Sequence, residues 1–220
     1  MIADALVHRR RDALGEPEGA LVVCHGRGAD EHDLAPLLDA LDPERRLVGL
    51  LPRGPLALPP GGAHWYVVRE VGFPDPRTFL PTFELLSGWV DAVVAEAGVP
   101  PERVVFAGFS QGAGMSYALA LAASRPRPAG ILAFSGFVPR VEGFELDPAS
   151  RAGLPVSIAH GTHDPIITVS FGREAKERLE AAGLDVAYVE EPMAHSIGPR
   201  GLAQAREVLE RALGLVERPD

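Results

Sequence analysis

A serine between two glycines marks the first place in the chain where chemistry could occur. Residues 108–112 read Gly-Phe-Ser-Gln-Gly, follow the apolar run 104–107 and precede small, helix-forming residues. A strand that leads through a G-x-S-x-G turn into a helix is the setting of a nucleophile elbow, whose serine hydroxyl points out of the sheet. Glycines suit such a turn because side chains there would collide with neighbouring backbone. Ser110 is therefore the candidate nucleophile.

A serine nucleophile needs a base and an acid that orients the base. Asp164 follows the strand-like run 155–160, and His195 follows the run 186–190 just before the last predicted helix. Groups at the carboxyl ends of parallel strands meet at one edge of a sheet. We therefore predict Ser110 as nucleophile, Asp164 as orienting acid and His195 as base. The alternative for Asp164 is an Asx turn before the following proline.

A second glycine-containing turn could stabilise a developing negative charge. Residues 24–30 read Cys-His-Gly-Arg-Gly-Ala-Asp and follow an apolar strand-like run. A His-Gly-x-Gly turn at this place supplies a backbone N–H to an oxyanion hole, and the residue after the nucleophile supplies the other. The predicted donors are the N–H groups of Arg27 and Gln111, with His25 ordering the turn by hydrogen bonds. The alternative is a simple turn at the end of a strand.

Metal chemistry is not expected from the sequence. The chain has seven histidines, and those around His25 and around His160 have potential ligands nearby. Their spacing matches neither a helical H-E-x-x-H nor a C-x-x-C pattern. We therefore predict that the protein uses no metal and no cofactor.

The elements that must position these residues alternate along the chain. Six apolar runs have the length of strands, and several lack alternation, as strands buried on both faces of a parallel sheet do. Five segments have helical periodicity. The alternation predicts an α/β fold with a mostly parallel central sheet and helices on both faces. The predicted strands are 20–24, 46–51, 103–107, 129–134, 155–160 and 186–190, and the predicted helices are 33–41, 79–97, 111–123, 170–182 and 199–213.

Residues 51–79 interrupt this rhythm with a segment rich in proline and glycine. A loop of this length inside a compact domain is usually functional, and its aromatic residues argue against disorder. We predict that it forms the wall of a substrate pocket and contains a short strand around 64–69. The alternative is a structural excursion that packs on the sheet. The predicted substrate-binding residues are Leu56, Trp65, Phe73 and Phe79.

Length, charge and cysteine content narrow the class of protein. The 220 residues fit one domain, 1–220, of which residues 1–19 are assigned to no element. The net charge of −9 disfavours nucleic acid or an anionic membrane as partner. Cys24 is the single cysteine and is expected to be a buried small hydrophobe, which suits a reducing compartment. With no signal peptide or long apolar run, a cytoplasmic location without stable membrane insertion is expected.

With these residues in place, the chain resembles the short carboxylesterase/phospholipase family of α/β-hydrolases, which includes acyl-protein thioesterases and lysophospholipases. The resemblance implies a hydrolase without a separate cap domain. It implies a Ser-His-Asp triad, an acyl-enzyme intermediate, and small-molecule carboxylic or thio esters of short to medium chain length as substrates. Five segments carry the resemblance: residues 25–30 (HGRGAD), 108–112 (GFSQG), 134–139 (FSGFVP), 161–164 (GTHD) and 192–196 (PMAHS).

Two positions depart from the family pattern. Arg27 occupies a position that is commonly apolar, and its guanidinium at the mouth of the site could favour substrates bearing a carboxylate or phosphate. Ala194 replaces a common glycine before the base. Two other functions stay open: a non-catalytic ligand-binding module on the same fold, and a dienelactone-hydrolase-like enzyme with a serine nucleophile. The natural ester and the oligomeric state, a homodimer included, are also open.

Overall fold

A mixed sheet forms the centre of the fold. The computed structural model of the chain describes residues 5–215, so residues 1–4 and 216–220 of the predicted domain lie outside the described residues. The strands are β1 (His8–Arg11), β2 (Ala20–Cys24), β3 (Val48–Pro52), β4 (Leu56–Leu58), β5 (Gly62–His64), β6 (Val68–Glu70), β7 (Phe73–Pro74), β8 (Val104–Phe109), β9 (Gly130–Phe134), β10 (Pro155–Gly161) and β11 (Asp185–Glu191). Within residues 5–215, seven strands form the main sheet in the order β1-β3-β2-β8-β9-β10-β11. All of its neighbouring pairs are parallel except β1 with β3, which confirms the predicted mostly parallel sheet.

Helices cover both faces of this sheet. They are α1 (Ala35–Leu41), α2 (Pro76–Glu96), α3 (Gln111–Leu121), α4 (Val169–Ala181) and α5 (Pro199–Leu213). Successive strand residues point to opposite faces, so Val22 packs in one apolar core with α2, α3 and α4. Leu21 and Val23 pack in the other core with α1 and α5. The predicted α/β-hydrolase fold is confirmed, and no separate cap domain covers the sheet within the described part of the chain.

The interrupting segment 51–79 forms two small hairpins and the start of a helix. β4 pairs with β5 and β6 pairs with β7, each as an antiparallel pair outside the main sheet. The single short strand predicted around 64–69 is wrong, because β5 ends at His64 and β6 begins at Val68. The predicted start of the second helix at residue 79 is also late. α2 begins at Pro76, which suits the first helical turn because that turn needs no backbone donor from it.

The first strand was not expected from the sequence. β1 reads His-Arg-Arg-Arg and has no apolar pattern, so periodicity gives no signal for it. It lies at the edge of the sheet, where charged side chains are common. Arg11 forms an ion pair with the buried Asp42, and the ring of His8 lies 5.1 Å from that of Trp89. Backbone pairing with β3 and tertiary contacts of its side chains therefore hold this strand in place.

The turn between β8 and α3 is strained and tightly packed. Ser110 has φ 56° and ψ −119°, a left-handed backbone that side chains rarely adopt. Its N–H donates to the carbonyl of Phe134 at 2.9 Å, which ties the turn to the end of β9. A Cβ at Gly112 would lie 2.6 Å from the carbonyl oxygen of His25 and closer still to that of Cys24. The start of α3 therefore lies directly against the end of β2.

We expect Gly112→Ala to lower the free energy of unfolding by about 1–3 kcal/mol, because the added methyl group must displace backbone. This cost should outweigh the gain of about 1 kcal/mol that alanine brings to a helix interior. The matched control is Gly15→Ala, since a Cβ at Gly15 would meet no atom within 4 Å. Urea unfolding of both variants measures the effect. Equal midpoints for the two variants would contradict the close packing described here.

Candidate active site

The predicted nucleophile lies at the carboxyl edge of the sheet. Ser110 follows β8 directly and is 8% exposed, and it lines a cavity of about 440 Å³. The strained turn carries its side chain out of the strand and away from α3. The ring of Phe109, the residue before it, lies 4.6 Å from the ring of His195. The predicted nucleophile and the predicted base therefore lie on neighbouring loops.

The predicted acid is held by three hydrogen bonds. Asp164 Oδ2 lies 2.6 Å from His195 Nδ1, and Oδ1 accepts the N–H groups of Ile166 at 2.8 Å and Ile167 at 2.9 Å. Burial of this carboxyl raises its pKa, but the bonds from His195 and the two backbone groups outweigh that effect. The pKa of Asp164 therefore lies below its ordinary value, and the group is a carboxylate near neutral pH. The local Asx turn and the contact with His195 coexist.

The orientation of the predicted base follows from this contact. An ionised carboxylate only accepts hydrogen bonds, so Nδ1 of His195 carries the proton that Asp164 accepts. Nε2 is then the ring nitrogen left to take a proton from another group. The side chain of His195 is 17% exposed, whereas that of Asp164 is fully buried. The imidazole of His195 is thus mostly enclosed by the protein but keeps some contact with solvent.

A buried glutamate that the sequence analysis missed fixes the loop of the base. Glu191 ends β11, and its carboxylate accepts the N–H groups of Arg200 at 3.1 Å and Gly201 at 2.8 Å in the first turn of α5. A carboxylate at this position also interacts favourably with the helix dipole. The carbonyl of Glu191 accepts the N–H of Thr162 at 2.8 Å. The loops that carry Asp164 and His195 are therefore bound to each other. The sequence signal for this role is an acidic residue directly after the predicted strand 186–190.

The two predicted oxyanion donors lie in the same cavity as the serine. Arg27 and Gln111 both line it together with Ser110. Gln111 is the first residue of α3, so its N–H has no intrahelical acceptor. The helix start also places partial positive charge at this point. The two residues line the same cavity because the start of α3 packs against the end of β2.

His25 orders the turn that carries Arg27. Its Nδ1 lies 2.7 Å from the carbonyl of Gly26, and its Nε2 accepts the N–H of Gly54 at 2.9 Å. This pattern requires the neutral ring with the proton on Nδ1. Burial lowers the pKa of His25, and this effect outweighs the opposing bond to Gly26 and the nearby Asp30 and Asp33. The imidazole is thus a structural link between the end of β2 and the end of β3.

The side chain of Gln111 has a second role that no sequence pattern indicates. Its Oε1 accepts the N–H of Trp65 at 2.8 Å, and its Nε2 donates to the carbonyl of Tyr66 at 2.8 Å. Trp65 in turn donates from Nε1 to the carbonyl of His25 at 2.8 Å. All four residues are buried. The excursion 51–79 is therefore fastened to the helix start that carries one oxyanion donor.

The cavity beside Ser110 has a volume of about 440 Å³ and mostly apolar walls. Two loops supply these walls: the excursion, and the segment after Asp164. Residues of the HGRGAD, GFSQG and FSGFVP segments complete the lining. The lining residues are Arg27, His64, Tyr66, Val67, Val68, Val71, Ser110, Gln111, Phe137, Ile166 and Ile167.

The excursion thus lines the cavity, but the four side chains predicted to do so are not among its lining residues. Trp65 and Phe79 are fully buried in the core, where Trp65 packs against His25 and Phe79 against Tyr66. Leu56 lies in β4, and Phe73 is exposed beside the guanidinium of Arg140. The prediction selects large apolar side chains of this segment. The fold instead buries Trp65 and Phe79 in the core, and the cavity is lined by Tyr66, which is also buried, and by the valines that follow it.

Two further features bear on the chemistry that the described residues can support. Within residues 5–215, no group of three His, Cys, Asp or Glu side chains is placed to hold a metal ion. Burial raises the pKa of the Cys24 thiol to about 12, so this buried group is protonated at neutral pH.

Among the described helices, none is both long and apolar enough to cross a membrane.

The chain is similar to a known protein family, to curated proteins and to solved structures. A family model described as phospholipase/carboxylesterase matches residues 12–213. Acyl-protein thioesterase 1 of Debaryomyces hansenii is 28% identical over 156 residues, which are 68% of this chain and 67% of that protein. Acyl-protein thioesterase 1 of Candida albicans is 28% identical over 164 residues, 70% of this chain and 69% of that protein. The crystal structure of the Bacillus cereus carboxylesterase has 26% identity and a TM-score of 0.80, with 94% of each chain covered.

The neutral state of His25 predicts a pH dependence of stability. An unfolded histidine takes up a proton near pH 6.5, whereas His25 in the folded chain resists protonation. Stability is therefore fully present above that pH and is lost as the pH falls toward the lower pKa of the folded state. One such group contributes a limiting slope of about 1.4 kcal/mol per pH unit. His160, whose pKa burial also lowers, adds a slope of the same sign.

We expect His25→Gln to reduce the slope of the unfolding free energy below pH 6.5 by up to about 1.4 kcal/mol per pH unit. The variant will be less stable at pH 8, since glutamine cannot reproduce both hydrogen bonds, so the slope and not the absolute value is the readout. Urea titrations at several pH values measure it. Parallel stability curves for wild type and variant would show that His25 is not held neutral by the fold.

Proposed function

The chain belongs to the phospholipase/carboxylesterase family of hydrolases that act on ester bonds, and from this premise we propose that it is a serine carboxylesterase. Ser110 is the proposed nucleophile, His195 the base and Asp164 the orienting acid. The observation that carries the proposal is the 2.6 Å hydrogen bond between His195 Nδ1 and Asp164 Oδ2. It forms at the carboxyl edge of the sheet, where the Ser110 turn also lies.

The proposed acylation step uses three residues that line the cavity, together with His195 and Asp164 on the neighbouring loops; the three are Arg27, Ser110 and Gln111. Nε2 of His195 takes the proton of the Ser110 hydroxyl while Oγ attacks the carbonyl carbon of the ester. The negative oxygen of the tetrahedral intermediate accepts the N–H groups of Arg27 and Gln111, and each such donor contributes a factor of about 10²–10³ to the rate. The buried carboxylate of Asp164 stabilises the imidazolium ion. His195 then gives its proton to the leaving oxygen, and the acyl-enzyme remains.

The proposed second step regenerates the serine. Water gives a proton to Nε2 of His195 and attacks the acyl carbon, and a second tetrahedral intermediate uses the same two N–H donors. Collapse of this intermediate returns the proton to Ser110 and releases the carboxylic acid. The chemistry requires only the chain and water. The exposed side of His195 is consistent with such water access.

The cavity supports a preference for short to medium acyl chains. Its walls beside Ser110 are largely valine, isoleucine and phenylalanine, which suits an apolar acyl group. A volume of about 440 Å³ is at the lower end of the usual range for small-molecule sites. A thioester is part of the same proposal, since two relatives carry the name acyl-protein thioesterase 1. A cytoplasmic location also belongs to it, supported by the single, buried Cys24.

Two other functions make different demands on the site. A non-catalytic binding module has no use for a strained serine turn together with a carboxylate-bound histidine. A dienelactone-hydrolase-like enzyme is expected to carry a cysteine at the elbow, where this chain has Ser110. A fluorophosphonate probe that labels the peptide containing Ser110 would exclude the binding module.

We expect Ser110→Ala and Asp164→Asn each to lower kcat for p-nitrophenyl esters by about 10⁴-fold or more, because each removes a member of one cooperating unit. Hydrolysis of esters from acetate to dodecanoate measures this effect together with the chain-length profile. The control Ser124→Ala removes an exposed hydroxyl outside the cavity and should retain the wild-type rate. Turnover by Ser110→Ala at the wild-type rate would disprove the assignment.

We expect Val71→Phe to move the chain-length preference toward shorter esters, because the larger ring occupies part of the cavity. The ratio of kcat/KM for octanoate to that for acetate should fall about tenfold, the effect of roughly one methylene in an apolar pocket. Val7→Phe makes the same substitution at an exposed valine that does not line the cavity. An equal ratio in both variants would place the acyl group elsewhere.

A further inference from the structure

The cavity beside Ser110 contains one feature that a neutral ester does not need. Arg27 lines it, and no Asp, Glu or Lys of the described residues shares the lining. We propose that the guanidinium of Arg27 binds a carboxylate of the substrate, so that the enzyme prefers half-esters of dicarboxylic acids. This inference rests on the proposed function, because the ester bond is cleaved by the same site.

The guanidinium of Arg27 has no partner within residues 5–215. Neither a hydrogen bond nor an ion pair joins it to another described side chain, although the chain has 30 acidic and 21 basic residues. The acidic residues nearest to Arg27 in sequence, Asp30 and Glu31, form ion pairs with Arg53 instead. Nη1 of Arg53 lies 3.3 Å from the carboxylate of Glu31 and 3.7 Å from that of Asp30. The charge of Arg27 is therefore available to a ligand in the cavity.

The backbone that carries Arg27 is fixed. The N–H of Gly28 donates to the carbonyl of Ala63 at 2.8 Å, and the N–H of Ala63 donates to the carbonyl of Ala29 at 2.8 Å. Gly62 packs so closely on Gly28 that a Cβ on Gly62 would meet its backbone. The Cα of Arg27 is thus held beside the proposed oxyanion hole, and only its side-chain torsions need to be ordered when an anion binds. A smaller entropic cost favours binding.

The number and kind of charges favour a monoanion. One guanidinium matches one carboxylate through two parallel hydrogen bonds, whereas a dianion would leave one charge unpaired in a protein of net charge −9. The side chain of Arg27 is solvent-exposed where it lines the cavity, so the two directed hydrogen bonds contribute more to the selectivity than the screened attraction of the charges does. In the proposed mechanism the N–H of Arg27 binds the oxygen of the reacting carbonyl, so its side chain begins close to the ester and suits a carboxylate only a few bonds away. The matching acyl groups are short dicarboxylic acids.

The test compares charged and neutral esters of equal length. Monoethyl glutarate and monoethyl adipate are paired with ethyl pentanoate and ethyl hexanoate, and kcat/KM is followed by titration of the released acid. We expect the ratio of half-ester to neutral ester to fall about tenfold or more in Arg27→Gln, because a charged hydrogen bond is lost. Arg27→Lys should retain part of the ratio, since it keeps the charge without the planar fork.

Controls separate this inference from the proposed function. Arg178→Gln removes the same charge at the far end of α4 and should leave the ratio at its wild-type value. The ratio corrects for any change in the chemical step, and loss of neutral-ester turnover in Ser110→Ala tests the proposed function by itself. An unchanged ratio in Arg27→Gln would overturn the inference.

A second set of substrates tests the source of the anion. Lysophosphatidylcholine carries a monoanionic phosphodiester, so its hydrolysis is measured in wild type and Arg27→Gln. A loss confined to the half-esters supports the carboxylate. A loss confined to lysophosphatidylcholine would overturn it and assign the anion to a lipid headgroup.

Discussion

The close approach of the start of α3 to the end of β2 is the constraint on which the site depends. Gly112 passes so near the carbonyl groups of Cys24 and His25 that a side chain has no room. This packing brings the N–H of Gln111 into the same cavity as Arg27. Ser110, directly before α3, has a positive φ, a conformation that costs of order 1–3 kcal/mol. The strained serine and the residues of both proposed donors thus lie at this contact between α3 and β2.

Buried hydrogen bonds hold the surrounding loops in register with this contact. His25 joins the ends of β2 and β3, while Gln111 binds the backbone of Trp65 and Tyr66 on both sides of its amide. Leaving any of these buried groups without a partner would cost about 1–3 kcal/mol. The excursion 51–79 therefore occupies one defined position, although it contributes no strand to the main sheet. A loop fixed in this way can form a cavity wall of constant shape.

The acid and the base belong to a second unit at the same edge of the sheet. Asp164 is oriented by the backbone of Ile166 and Ile167, and the helix after His195 begins on the carboxylate of Glu191. The ring of Phe109 lies against His195 and connects this unit to the elbow. These hydrogen bonds position the loop after β10 and the start of α5, and these two elements in turn position the imidazole of His195. An apolar cavity with a single guanidinium lies between the two units.

The sequence by itself determined the six parallel strands of the main sheet, the five α-helices, and the order of Ser110, Asp164 and His195, because buried parallel strands and their helices leave recognisable apolar patterns. It also pointed to Arg27 and Gln111 through the glycines around them. Only the tertiary structure decided which side chains face the cavity and that the edge strand β1 exists. Side-chain direction in an irregular segment such as 51–79 depends on distant partners. Burial of Trp65 depends on the carbonyl of His25, 40 residues away, which accepts the indole N–H that burial removes from water, and no local pattern records such a contact.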